Sequence, residues 1–259
     1  MIAKLLSDFR GIARVCGVGT ALRWIGCVAA TLPQNLKTRN LLAADEKMGI
    51  GPFTVHHKIG TAKLTGKQVF SGIREIWVRN VYARGDFIQI PDNGLVVDLG
   101  ANMGNFSTMA LTANRTARVI AVEPSRELVE KFRATMRVNG FENRATLCQA
   151  FIGDFTPKQD QDFASNPYYS GIETITEADF IAQNRIDRIS FLKCDIEGSE
   201  FFMIQPGSRL LDLADRIAIE IHGFGGNAQQ FLTHLEDRGF TIHSVDWYGA
   251  DCIAMAART

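Results

Sequence analysis

Five short apolar runs that alternate with amphipathic stretches constrain this chain more than any other feature: "LVVDLG" (95–100), "RVIAVEPS" (118–125), "ATLCQAFIG" (145–153), "ISFLKCDIEG" (189–198) and "RIAIEIHG" (216–223). Each has strand length and is nearly uniformly apolar, the pattern of strands buried on both faces of a sheet. "SRELVEKFRATMRVNG" and "FFMIQPGSRLLDLAD" lie between them with helical patterning, Ser125 serving the first as N-cap and Gly140 as its stop. Alternating β and α units predict an α/β, doubly wound, mostly parallel sheet with right-handed crossovers. After the helical "NAQQFLTHLEDRG", the segment "FTIHSVDWYGADCIAMAA" reads as two strands turning at "WYGAD". This C-terminal antiparallel hairpin brings the sheet to seven strands.

The texture changes near residue 94, and residues 1–66 read as an accessory segment before a main domain at 67–259. "PFTVHHKIGTAKLTG" looks like a short hairpin, in which His56 and His57 face opposite sides and so do not ligate together. "GKQVFSGIREIWVRNVYARGDF" looks like a helix leading into a loop. The apolar stretch "GIARVCGVGTALRWIGCVAATLP" is interrupted by Arg14 and Arg23. Its uncharged pieces fall well short of the roughly 20 residues that span a bilayer, so it reads as an amphipathic helical appendage and not a transmembrane segment. Lys4, Arg10, Arg14 and Arg23 leave weak contact with a membrane surface open. Lys plus Arg (28) equals Asp plus Glu (28), so the summed charge offers no general attraction for nucleic acid or an anionic membrane. Cys16, Cys27, Cys148, Cys194 and Cys252 show no CxxC spacing and read as thiols of a reducing, cytoplasmic compartment.

In "DLGANMGNFS", Gly100 and Gly104 let backbone approach a ligand at the start of a helix whose first N–H groups are free. Glu123, ending the second strand in "VEPS", is placed to take both ribose hydroxyls of an adenosine group. A nicotinamide enzyme would use the same geometry. Asn102, however, stands where the second glycine of GxGxxG would admit a pyrophosphate, which suits a cofactor without one. S-adenosyl-L-methionine fits, since its amino-acid tail needs backbone donors for the carboxylate and an acceptor such as Asp98 for the ammonium. The ending of a parallel sheet in a hairpin also resembles class I, Rossmann-like methyltransferases.

Taken in order, "VVDLGANMGNFS", "VIAVEPS", "ETITEADF", "ISFLKCDIEGSEF" and "IAIEIHG" make the chain, over about residues 75 to 240, resemble the FkbM family of class I methyltransferases. The resemblance implies S-adenosylmethionine as cofactor and O-methyl transfer to a hydroxyl of a sugar, glycan or polyketide-type natural product. The cofactor contacts expected are Asp98, Gly100, Asn102, Gly104, Asn105, Phe106, Glu123, Pro124, Ala150 and Asp195. Cys194 departs from the small or apolar residue usual before the acid, and the first 65 residues match no family feature.

An alcohol is a poor nucleophile at neutral pH until a base or metal acts on it. The fourth and fifth strands should be neighbours with carboxyl ends facing one crevice, bringing Asp195 and Glu197 beside Glu220 and His222. His222 is the expected general base, because its unperturbed pKa lies nearest neutrality. Glu220 or Asp195 would orient it or hold the acceptor hydroxyl. Asp195 should also approach the methionine part of the cofactor, Glu197 stays open, and Glu200 reads as a helix-start acid. A metal-assisted variant would place Mg or Mn on Asp195, Glu220 and His222. Two other functions compete: a nicotinamide-dependent oxidoreductase and a catalytically inactive cofactor-binding module. Residues 155–187, with Asn166, Pro167, Gly171, Tyr168 and Tyr169, read as a loop over the site. Tyr168, Tyr169, Tyr82, Trp77, Trp247 and Phe224 are candidates for an aromatic wall against a sugar ring.

Overall fold

In the computed structural model of the chain, residues 2–153, 169 and 171–258 are described; Asn166, Pro167 and Tyr168 of the expected loop lie outside them. Helix α1 (Ile2–Cys16) buries Asp8, Ile12 and Val15, spaced to share one face. Gly11 on that face is a necessity of packing, since a Cβ there would stand 2.2 Å from Val78 Cγ1. Helix α2 (Val18–Ala30) turns Ala21, Trp24, Cys27 and Val28 inward. Two short helices follow, α3 (Leu32–Thr38) and α4 (Leu42–Lys47). The expected hairpin is formed by β1 (Phe53–His57) and β2 (Gly60–Leu64). Helix α5 (Val69–Gly72) runs on into a wider helical turn over Ile73–Val78.

The main sheet is built from β3 (Leu95–Leu99), β4 (Arg118–Val122) and β5 (Ala145–Cys148). After the two-residue strands β6 (Phe151–Ile152) and β7 (Thr174–Ile175), which pair with each other, it continues with β8 (Phe191–Cys194) and β9 (Arg216–Ile221). The final pair is β10 (Phe240–Tyr248) and β11 (Asp251–Arg258). Their order is β10-β11-β9-β8-β3-β4-β5, with β11 antiparallel to both neighbours and the other neighbouring pairs parallel. The seven-stranded sheet and its closing hairpin are those expected, and the architecture is that of class I methyltransferases.

Successive strand residues face opposite sides, so the apolar runs supply two cores. Val96 and Phe191 join Trp24, Phe70 and Ile73 of the N-terminal layer in one. Val97 and Leu192 join Phe180, Leu211 and Phe231 in the other. The crossover helices are α6 (Asn105–Ala113), α7 (Arg126–Asn139), α8 (Glu177–Asn184), α9 (Leu210–Leu213) and α10 (Ala228–Asp237). Helix α7 is bounded as its sequence predicts, with the Ser125 hydroxyl accepting from the Leu128 N–H and Gly140 in the left-handed region.

Three local expectations are corrected. The third strand stops at Cys148, because Phe151 and Ile152 leave the sheet for β7. "FFMIQPGSRLLDLAD" is not one helix but a tight turn at Ser199–Ile204 followed by α9. Between them Pro206 removes a backbone donor and Gly207 sits at φ 90°. The far half of residues 155–187 is ordered as β7 and α8, where the Thr176 hydroxyl accepts from the Asp179 N–H.

A buried ionic cluster ties the N-terminal helices to the segment that follows the hairpin. The Arg74 guanidinium donates to both oxygens of Asp45 (2.8 and 2.5 Å) and to Asp8 (2.9 Å), and Arg79 donates to both oxygens of Asp8 (2.9 and 2.6 Å). The Trp24 indole N–H donates to Asp45 at 3.0 Å. Burial works against the Asp8 charge, but Arg79 and Arg74 outweigh it and hold the carboxyl below its usual range. Among the described residues no helix is long and apolar enough to cross a membrane.

Candidate active site

At the carboxyl end of β3, Gly100 adopts φ 75°, and a Cβ on it would lie 1.7 Å from the Asp195 carbonyl oxygen. Only glycine lets the ends of β3 and β8 meet this closely. Asn102 follows at φ 51°, and its backbone N–H donates to Glu123 Oε2 at 2.8 Å. The other Glu123 oxygen accepts the Ser125 N–H at 2.9 Å. Burial pushes the Glu123 pKa up to about 7 against those two hydrogen bonds.

These groups open onto a cavity lined by Gly100, Asn102, Glu123, Pro124, Ala150 and Asp195, all expected as cofactor contacts, and by Tyr169 and Ser199. The other four expected contacts lie beneath it. Asp98 is fully buried, its Oδ2 accepting the Ser107 hydroxyl at 2.6 Å. Gly104, at φ 80°, leaves room for Phe132, whose ring would stand 2.8 Å from a Cβ there. The Asn105 side chain is buried against Gly72, and Phe106 packs in the core with Tyr82 and Phe191. The side chains of Asn105 and Phe106 thus serve the core, and the cavity wall on this side is the turn at Gly100 and Asn102.

Under the same turn lies Lys193, to which the sequence reading gave no role. Its ammonium donates to the carbonyls of Leu99 (3.2 Å) and Gly100 (2.7 Å) and stands 3.4 Å from Asp98 and 3.9 Å from Asp195. Burial opposes its charge, yet Asp98 and Asp195 prevail and hold its pKa above the ordinary value. The available signal was a lysine inside a strand otherwise buried on both faces, where a cation needs a carboxylate.

Asp195, Glu220 and His222 converge as expected. The Tyr82 hydroxyl lies 3.0 Å from Asp195 Oδ2 and 2.8 Å from Glu220 Oε2, and the Tyr248 hydroxyl donates to Glu220 Oε1. Burial, and then Asp195, raise the Glu220 pKa against the two phenol hydrogen bonds.

His222 is oriented neither by Glu220 nor by Asp195. Fully buried Glu200 takes the His222 backbone N–H (2.5 Å) and faces Nδ1 at 3.2 Å, while its second oxygen accepts the Gly198 N–H at 2.9 Å. The expected helix-start acid is thus the partner that fixes the imidazole. Nε2 is left 3.7 Å from Glu197, 3.8 Å from Glu220 and 4.0 Å from Asp195. Burial disfavours the charged ring, but the hydrogen bond and charge of Glu200, then Asp195 and Glu220, carry its pKa up to about 9. A pKa near 9 favours the imidazolium at neutral pH and so weighs against the expected general-base role.

The aromatic wall is also redistributed. Trp77 and Tyr82 are buried in the core, whereas Phe224, Trp247 and Tyr248 stay exposed. The Phe224 and His222 ring centroids are 5.4 Å apart. Tyr169 lies in the cofactor cavity with its ring 5.6 Å from that of Phe151.

Known proteins give this geometry a family. Residues 98–242 match the model of the methyltransferase FkbM domain. A segment of the AMB antimetabolite synthetase AmbE of Pseudomonas aeruginosa is 30% identical over 151 residues, 58% of this chain and 7% of that protein's length. Methyltransferase 1 of Beauveria bassiana is 23% identical over 212 residues, covering 69% of this chain and 84% of that one. Precorrin-6y C5,15-methyltransferase of Geobacter metallireducens aligns over 70% of this chain and 88% of that one, with 14% identity and a TM-score of 0.46. The nicotinamide reading is set aside. The chain belongs to the FkbM methyltransferase family, whose methyl donor is S-adenosylmethionine.

Proposed function

We propose that the protein methylates a hydroxyl group of a sugar, glycan or natural-product acceptor. The observation that carries this reading is Asp195, which lines the cofactor cavity on one side and belongs to the carboxylate–imidazole cluster on the other. A hydroxyl set beside it lies between the two halves of the site.

S-adenosylmethionine, when bound, supplies an electrophilic methyl group. Asn102, Gly100 and Glu123 would hold its adenosine and amino-acid parts, Glu123 accepting from the ribose hydroxyls. Asp195, which borders both the cofactor cavity and the cluster, would be the base that takes the acceptor proton. The imidazolium of His222, fixed by Glu200, then balances the negative charge gathering at the oxygen. Phe224 and Tyr248, exposed beside this cluster, fit the face of a sugar or aromatic ring. The similarity to part of an antimetabolite synthetase favours a natural-product acceptor.

The test is transfer of labelled methyl to candidate acceptors, with magnetic resonance used to locate the new carbon. A methyl ether supports the reading. A label on nitrogen or carbon, or tight S-adenosylhomocysteine binding with no transfer to any acceptor, defeats it, the latter outcome favouring the inactive cofactor-binding module.

A second reading rests on Asp195, Glu197 and His222, whose ligand atoms all lie within 4.8 Å of one another. Glu197 takes the place expected for Glu220, whose oxygens are engaged by Tyr82 and Tyr248. A divalent cation such as Mg or Mn would replace the His222 proton and polarise the acceptor hydroxyl. Loss of activity in EDTA, restored by Mg, selects it.

A further inference from the structure

The N-terminal helices carry a surface that methyl transfer does not use. Of eleven large apolar or aromatic residues that stay exposed among the described residues, eight lie between Leu6 and Ile50. They are not scattered. Val18, Leu22 and Ile25 follow one another at four and three residues, which places them on a single face of α2 beside the one that buries Trp24 and Val28. Leu32 and Leu36 extend the patch along α3, and with Leu42 they line an apolar groove between α1, α3 and α4. A helix apolar on both faces is normally covered on both.

Charge indicates what covers it. Lys4, Arg10, Arg14, Arg23, Lys37 and Arg39 are all exposed. Of the three acids in the same stretch, Asp8 and Asp45 are buried and held by Arg74 and Arg79, and exposed Glu46 pairs with Lys67. Lys4 and Arg39 stand on the wall of the apolar groove itself. The whole chain is neutral, so this one-sided charge is local. In a twofold pairing of two copies through this patch, the patch would meet itself and set cations against cations. An anionic lipid surface reverses that sign while accepting the leucines, the combination by which interfacial helices bind.

We propose that residues 1–50 dock the enzyme on an anionic phospholipid membrane, with the outer face of α2 and the α1/α3/α4 groove taking the acyl boundary and the surrounding cations the headgroups. This goes beyond methyl transfer and does not depend on the acceptor.

The test is cosedimentation of the full chain with vesicles of phosphatidylcholine alone and of phosphatidylcholine mixed with phosphatidylglycerol. The chain is expected to bind the mixed vesicles and not the neutral ones, and to release as salt rises. K4Q/R39Q should lower the partition coefficient about 25-fold, roughly fivefold for each cation. L22E/L36E should abolish binding while keeping the melting temperature and S-adenosylhomocysteine affinity of the parent. Absent binding, or equal binding to both vesicles, overturns the proposal. So does a dimer in sedimentation velocity that L22E/L36E converts to monomer, since the face would then belong to a second copy.

Discussion

Two buried ionic clusters lie on either side of the turn formed by residues 73–82, and they are composed in opposite ways. In the N-terminal one, two aspartates meet two arginines with near-parallel pairs of hydrogen bonds, and the charges cancel. In the other, Asp195, Glu197, Glu200 and Glu220 surround one imidazole, with the Lys193 ammonium beneath beside Asp195. A balanced cluster fixes a fold and has nothing left to give. An unbalanced one holds pKa values away from their ordinary positions, and that displacement is usable in proton transfer.

Glu220→Gln should break the contrast most visibly. It takes one carboxyl out of a crowded acidic set, so the melting temperature stays level or rises, while the rate of methyl transfer falls by about 10²–10⁴-fold. A variant that loses stability and keeps its rate would assign Glu220 to the fold. In the balanced cluster the opposite holds. Arg74→Leu leaves Asp45 and Asp8 short of charge in the interior and should cost roughly 3–5 kcal/mol in denaturant unfolding. A change under about 1 kcal/mol would mean that the cluster is not what joins the N-terminal helices to the sheet.

Glu200→Gln is a subtler probe, because Glu200 acts through His222. The turnover rate should drop about ten- to a hundredfold. The His222 imidazole resonance should titrate below the midpoint of about 9 that Glu200 helps to maintain, and an unmoved midpoint would remove Glu200 from this role. The smallest effect is in the cofactor half. Glu123 accepts from both ribose hydroxyls only when ionised, and its pKa stands at about 7. The raised value makes the carboxylate the disfavoured form in the fold, so S-adenosylhomocysteine affinity should fall about tenfold as pH drops from about 8 to about 6. Glu123→Gln should bind weakly and without that slope; calorimetry across the range distinguishes the two.

What could be read from the sequence follows the range of each interaction. The five runs and the C-terminal hairpin were legible because burial on two faces and a turn are local signals. Gly100, Asn102 and Glu123 were legible because a strand-to-helix turn and a strand end bring them together within one βαβ unit. The Glu200–His222 contact was not, since it joins residues 22 apart through a turn whose shape depends on Gly198 and on the break at Pro206–Gly207. Asn105 and Phe106 were drawn toward the cofactor by their place in the motif, whereas the helix phase turns them into the core. Lys193 carried a clue that went unread: charge in an apolar strand.

The contact between Gly100 and the Asp195 carbonyl has a further consequence. With Asp195 meeting the acceptor and Gly100 the donor, as proposed, the two segments that carry these roles are spaced by main chain against main chain. No side chain at the rim makes that contact. Substitutions around the aromatic rim can therefore change which molecule enters, while the span its oxygen must cross is the same for every guest.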